Sequence, residues 1–232
     1  MIRNLILTGG IGHPFEQAAP ALEAILASEG IESEISFDIE AGMRSLATTR
    51  YDIVTVYALR WRMLGSEKYA PHRARWAFSP SQEARAALRG HLARGGGLLA
   101  LHTAVICFDD WDEWGDILGA RWAWGQSSHP PRGGLKTRIT GAGSLLTKGL
   151  GGFSLANDEV YGGLEWRGKV QPLMTAQADG HATEAPVLWT RTHGPAHVAV
   201  DLLGHDSNSL EQPVHRTILT RAAQWCAEGS QA

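Results

Sequence analysis

Three histidines stand just past runs that read as strands. His13 follows the apolar segment 3–8, His102 follows Leu98-Leu99-Ala100-Leu101, and His205 follows the segment 197–203. Imidazole titrates near neutral pH and is the commonest protein metal ligand, so it suits either acid–base work or ligation. In an open α/β sheet, ligand-handling groups collect outside the C-terminal ends of the strands. Three histidines from three strands would then reach one edge independently. A carboxylate pair, Asp158-Glu159, precedes Tyr161. A carboxylate beside imidazoles can orient a ring, take a proton, or bond a hydroxyl. Period-2 alternation points Asp158 and Glu159 in different directions.

Other chemistry is less well signalled. His193 and His197 are four apart, but Gly194-Pro195 breaks any helix between them. No H-E-x-x-H or paired C-x-x-C motif is present, and such motifs are the sequence marks of zinc. His13, His102, His129, His205 and Glu159 would hold a divalent metal only if the fold converged them, so no cofactor is predicted and metal ligands stay unassigned. Gly10-Ile11-Gly12-His13-Pro14-Phe15 begins like a dinucleotide fingerprint, with Asp38 where a ribose-binding acid would lie. Phe15 replaces the third glycine, so NAD binding is not expected. Four of the nine tryptophans, Trp111, Trp114, Trp122 and Trp124, fall within fourteen residues after His102. Indole faces suit ligand C–H surfaces, although Trp111, Trp114 and Leu118 also fit the buried stripe of a short helix.

The elements that must position these groups follow from hydrophobic period. Residues 3–8, 51–57 and 98–101 read as buried strands, and 31–37 as a shorter one. Helical spacing predicts helices over 15–28, 80–94 and 213–227, with Pro20 a kink or a later start in the first. Ser79 is expected to cap the second, with Pro80 and Gln82 completing the signature. Residues 58–78 form an Arg- and aromatic-rich insertion, either a lid or a subunit contact. The second half is more β-rich, with strands expected near 135–139, 170–176, 186–191 and 197–203. The fold class is therefore α/β: an open, mainly parallel sheet with helices on both faces, read as one domain over 1–232.

Composition narrows the class further. The 232 residues are 44% apolar and 19% charged, with a formal charge of −3. That argues against disorder and against general nucleic-acid or anionic-membrane binding. Two cysteines, Cys107 and Cys226, are too few for a disulfide framework, and neither a secretory segment nor a membrane span is evident. A cytoplasmic protein is expected.

An ordered set of landmarks resembles the trehalose-utilisation (ThuA-like) family, itself similar in fold to class I glutamine amidotransferases. The set is Thr8-Gly9-Gly10 with His13, Gly95-Gly96-Gly97 through His102, and Phe153-Ser154-Leu155 before Asp158-Glu159-x-Tyr161. It continues with Pro186-Val187-Leu188-Trp189-Thr190, Leu203-Gly204-His205 and the Trp225-bearing last helix. The chain departs where the family carries a Gly-Lys-Gly-Arg turn and this one has Gly194-Pro195-Ala196-His197. The resemblance implies a flavodoxin-like sheet and a role in carbohydrate metabolism, often beside a nicotinamide-dependent sugar dehydrogenase. It also marks Glu159 as the preferred acid–base carboxylate. Amidotransferases place a nucleophilic Cys at the strand-to-helix elbow. Here that turn is Ala100-Leu101-His102-Thr103-Ala104, with Cys107 five residues on, so glutamine hydrolysis is not expected.

The expected catalytic set is His102, His205 and Glu159, with His13 assisting, acting on a sugar or keto-sugar by isomerisation, elimination or hydrolysis. Asp158, Tyr161, Trp111, Trp114, Trp124 and His129 are expected to bind substrate. The rival readings are a non-catalytic carbohydrate-binding or accessory subunit and a nicotinamide-dependent oxidoreductase. Partners are a small carbohydrate, a pathway dehydrogenase and a further copy of the chain. The His102 and His205 rings should lie within about 8 Å of each other, and His102→Ala should leave the melting temperature nearly unchanged.

Overall fold

The computed structural model describes residues 1–229. Five strands form the parallel part of the main sheet: β1 (Ile2–Gly10), β2 (Ile31–Ser36), β3 (Ile53–Leu59), β4 (Gly97–Leu101) and, from late in the chain, β11 (Ala196–Asp201). Between β4 and β11 come β5 (Ala120–Arg121), β6 (Gly133–Ile139), β7 (Ser154–Asp158), β8 (Glu165–Trp166), β9 (Pro172–Ala178) and β10 (Glu184–His193). The strand order is β2-β1-β3-β4-β11-β10-β9-β6-β7, and β5 pairs separately with β8. Pairings from β2 to β11 are parallel, and those from β11 to β7 antiparallel. The β-rich second half thus extends the parallel sheet as an antiparallel wing.

The helices are α1 (Phe15–Ala27), α2 (Ile39–Ser45), α3 (Arg73–Trp76), α4 (Gln82–Ala93), α5 (Asp112–Leu118), α6 (Ser207–Leu210) and α7 (Pro213–Glu228). α1 packs with α6 and α7, whereas α2 packs with α4, so two helical layers cover the sheet. Pro20 lies on the exposed side of an uninterrupted α1. The cap of α4 differs from the sequence expectation. Ser81, not Ser79, accepts from the Ala84 N–H, while Ser79 donates its hydroxyl to Asp110. Ser79 is thereby committed to an acid–arginine contact with Asp110 and Arg85. α2, seven residues capped by Asp38, and β7, a five-residue edge strand, had no clear periodic signal, nor did the short β5, β8, α3 and α6.

Leu98, Leu99, Ala100 and Leu101 are wholly buried. Burying each large aliphatic side chain contributes about 1.5–3 kcal/mol, which anchors the strand that presents His102. β1 lies between β2 and β3, so successive connections leave it in opposite directions and open a crevice at its C-terminal end. Gly10 is needed there: its φ is +139° and a Cβ would lie 2.2 Å from the Leu59 carbonyl oxygen.

Candidate functional site

The four residues expected to do chemistry do meet. The side-chain ligand atoms of His13, His102, Glu159 and His205 all lie within 4.8 Å of one another. His13 leaves the β1 turn immediately before α1, and its ring stacks on Phe15. His102 is the first residue after β4 and has a φ of +50°. A left-handed conformation costs a non-glycine residue roughly 1–2 kcal/mol, and such outliers gather at functional turns. His102 thus sits in the sharp elbow between β4 and the 3-10 turn His102–Ile106. His205 follows β11, the parallel neighbour of β4.

Glu159 comes from the far wing, one residue past β7. Asp158 fixes that approach: its Oδ2 accepts from the Gly204 N–H at 2.9 Å and from the Ser209 hydroxyl, and its Oδ1 from the Glu159 N–H at 2.7 Å. With 2% exposure, Asp158 positions Glu159 and the His205 turn, and its oxygens are spent on protein donors rather than on a ligand.

Hydrogen bonds assign the tautomers. His102 Nδ1–H donates to the Leu202 carbonyl at 2.9 Å, and His13 Nδ1–H to that of Ile11 at 3.3 Å. A carbonyl only accepts, so each neutral ring carries its lone pair on Nε2. Those two Nε2 atoms are 3.0 Å apart. The Tyr161 hydroxyl is 3.0 Å from Glu159 Oε2, to which it donates, and 3.2 Å from His102 Nε2. Glu159 Oε2 lies 3.6 Å from His102 Nε2 and 3.9 Å from His13 Nε2. Arg132 Nη1 donates to His205 Nδ1 at 3.0 Å, which leaves the His205 proton on Nε2, 3.9 Å from Glu159 Oε1.

Burial sets the protonation states. It pushes His13 down to about 4, helped by the adjoining His205. Burial and neighbouring His13 hold His102 well below the ordinary histidine value, and burial together with the Arg132 charge lowers His205. Burial and the Glu159 carboxylate raise Tyr161 well above the ordinary phenol value. At neutral pH the cluster therefore holds two neutral imidazoles with bare Nε2 atoms, a third presenting Nε2–H, and a protonated tyrosine.

The remaining candidates divide. The His102 and His205 ring centroids are 5.5 Å apart, inside the expected range. His129 stands at the exposed rim, its Nδ1 3.8 Å from Glu159 Oε1, and Trp122 packs edge-on to Tyr161. Trp111 and Trp114, expected on the substrate face, are instead 4% and 1% exposed and stack on each other and Phe108. The helical stripe prevailed because α5 must bury a face. Trp124 stacks on Trp61 of the insertion rather than against the histidines. Full burial of His102 also corrects the expected harmless truncation: alanine there would leave a core void and an unpaired Leu202 carbonyl.

Sequence reasoning missed Arg132 and the Tyr57 hydroxyl, which donates to the Gly204 carbonyl at 2.5 Å. Neither carries a motif; Tyr57 is legible only as the last residue of a buried strand pattern. Cys107 is buried, its thiol donates to the Ala58 carbonyl, and burial pushes it up to about 12. Asp38 caps α2 through the Ala41 N–H. A cavity of about 590 Å³ opens beside the cluster, walled by His13, Phe15 and Phe37 and, from the insertion, Arg60, Arg75 and Trp76.

A five-stranded parallel core with an antiparallel wing and a sharp turn after β4 defines the class: a glutamine amidotransferase-like α/β fold, here with His102 at that turn. Within that class the chain belongs to the ThuA family, described as trehalose utilisation, whose model matches residues 3–226. Its structure is similar to that of a ThuA-like protein from Parabacteroides merdae, with a TM-score of 0.75, 20% identity, and 98% of this chain and 90% of that one covered. A ThuA-like protein from Bacteroides uniformis gives 0.69 at 15% identity over 97% and 91%. A glutamine amidotransferase from Thermotoga maritima gives 0.52 at 8% identity over 98% of both chains. No curated protein matches. Among the described residues, no helix is long and apolar enough to cross a membrane.

Proposed function

We propose that this protein is an enzyme of carbohydrate metabolism, with a role related to trehalose utilisation, that performs acid–base chemistry next to a carbonyl of a sugar or keto-sugar. The observation that carries the reading is the pairing of tautomers at one sheet edge. His102 offers a bare Nε2 lone pair and His205 a Nε2–H, with ring centroids 5.5 Å apart. In the step proposed, His102 Nε2 removes a proton from carbon beside the carbonyl while His205 Nε2–H protonates the carbonyl oxygen, giving an enediol. Return of the His102 proton to the neighbouring carbon, with the other enediol hydroxyl giving its proton back to His205 Nε2, completes an isomerisation; departure of a β-substituent that takes the His102 proton, with the enol proton returning to His205, completes an elimination. Glu159 and Tyr161 hold the oxygen-bearing end, and His13 assists as a second base.

The cavity, at about 590 Å³, falls within the ~300–1,000 Å³ of small-ligand sites. Its arginine and tryptophan walls suit a polyhydroxylated ligand, which makes the insertion a pocket wall. Because the chemistry needs a carbonyl, a sugar dehydrogenase that makes or removes one is the proposed pathway partner. The test is a panel of sugars and keto-sugars followed by NMR in deuterated water. Exchange or conversion at carbon beside a carbonyl, lost in His102→Asn, is the expected result. Saturable binding with no exchange or turnover across the panel would overturn it in favour of a carbohydrate-binding accessory subunit.

A further inference from the structure

The inner cluster has more acceptors than protons. His13 Nε2, His102 Nε2 and Glu159 Oε2 all face one point, and both Nδ1–H groups are spent on backbone carbonyls. Tyr161 brings one proton, which its hydroxyl gives to Glu159. Two imidazole lone pairs 3.0 Å apart repel unless an electrophile sits between them. Burial denies them water as a screen: His102 is wholly enclosed and the His13 side chain is 7% exposed.

We infer that His13 Nε2, His102 Nε2 and the Glu159 carboxylate form a three-ligand site for one divalent first-row transition-metal ion. Two imidazoles and a carboxylate suit zinc, iron, cobalt or nickel, whereas magnesium and calcium favour all-oxygen sites. With metal–ligand bonds of about 2.0–2.1 Å, ligand atoms are separated by about 2.9 Å in octahedral and 3.3 Å in tetrahedral geometry. The observed separations of 3.0, 3.6 and 3.9 Å need only sub-ångström closure to match. The backbone acceptors on the far nitrogens are also what metal-bound histidines normally have, since they fix the tautomer and the ring.

His205 lies close enough to be a fourth ligand, yet its tautomer argues otherwise. Arg132 donates to its Nδ1, so Nε2 carries a proton and has no lone pair for a metal. The site is therefore open, with three protein ligands and a position left for a substrate oxygen or water, the pattern of catalytic rather than structural sites. His205 faces that position as an acid. When bound, the ion would polarise a carbonyl oxygen. The site goes beyond the acid–base proposal: with an ion bound, the His13 and His102 Nε2 lone pairs would be ligands and no longer bases, so binding is measured without any substrate.

The experiment strips the full chain with chelator, confirms its fold by circular dichroism, and titrates Zn²⁺ by calorimetry and Co²⁺ by visible absorption. One equivalent should bind with micromolar or tighter affinity, and Co²⁺ should show d–d bands of a four- or five-coordinate N/O site. His13→Asn, His102→Asn and Glu159→Gln should each weaken binding at least a hundredfold, while His205→Asn changes it less than tenfold. Asparagine tolerates the left-handed backbone at 102, and glutamine keeps the Tyr161 contact, so both variants should fold. Stoichiometric binding that survives Glu159→Gln and His13→Asn, or no saturable binding by the stripped wild type, overturns the site. A hundredfold loss in His205→Asn overturns the three-ligand assignment. Metal binding without turnover on any sugar would sink the acid–base proposal and leave the site standing.

Discussion

Two buried histidine–carboxylate clusters flank the segment after β11, Asp201 with His215 on one side and His205 with His13, His102 and Glu159 on the other, and they are built differently. In the first, His215 on α7 donates one ring N–H to the Ser209 carbonyl at 2.7 Å and the other to Asp201 at 3.1 Å. Asp201 also accepts from the Leu203 N–H. Every donor has an acceptor, and although burial pulls His215 down, the Asp201 charge and hydrogen bond outweigh it and raise the imidazole above its ordinary value. In the second, His102 and His13 have one nitrogen each satisfied and the other turned toward another acceptor. Both clusters enclose fully buried rings. Burial alone therefore does not separate the two clusters; the match between donors and acceptors does.

Removing one member from each cluster should give opposite effects. His102→Asn should lower turnover on the true substrate by about a thousandfold, a barrier change of about 4 kcal/mol, as read by initial rates per folded molecule. A loss below tenfold would make His102 merely structural. Asp201→Ala should do the reverse. Leaving His215 buried without its partner should cost about 3–5 kcal/mol of unfolding free energy in urea, with turnover per folded molecule within a factor of about three. If activity fell a thousandfold there, the two clusters would not be separable.

Asp158 tests the link between them, since it accepts from both the Gly204 turn and Ser209. Asp158→Asn should cost about 1–3 kcal/mol and lower activity about tenfold, because His205 and Glu159 lose their shared anchor. The pH dependence sharpens the contrast further. A His215 held above its unfolded value of 6.5 stabilises the fold fully below that pH, and the contribution declines as pH rises through the raised value. Unfolding free energy should therefore fall with rising pH above about 6.5 more steeply in the wild type than in Asp201→Ala. Parallel curves would remove the charged pair from the account. The smallest effect is expected at exposed Arg132: Arg132→Gln should change turnover by less than about tenfold, since it frees the His205 tautomer without removing the ring.

Much of the architecture was legible because local patterns report it directly. The β-rich run expected at 51–57 and the apolar run at 98–101 became buried strands β3 and β4, and helical spacing placed α1, α4 and α7 almost to the residue. The histidines at strand ends were legible for the same reason: once a strand is recognised, its C-terminal end is known. Asp158 was misassigned because alternation says which way a side chain points but not what it meets. Trp111 and Trp114 followed the packing of α5, and the Ser79 cap yielded to Ser81 once Asp110 and Arg85 claimed Ser79. Arg132, on an irregular stretch, has no period to reveal it.

Local pattern alone was enough for the long strands and helices and for the placing of His13, His102 and His205 at strand ends, because those depend on interactions among near neighbours in the chain. Only the tertiary structure decided which of the ten histidines meet. The strand order sets β1, β3, β4 and β11 side by side, and the return from β7 carries Glu159 to the same point. The tautomers, too, came from the fold, since the carbonyls of Ile11 and Leu202 and the guanidinium of Arg132 fix where each proton resides. A proton's position depends on the partners within about 3 Å, and in this chain most of those partners lie dozens of residues away.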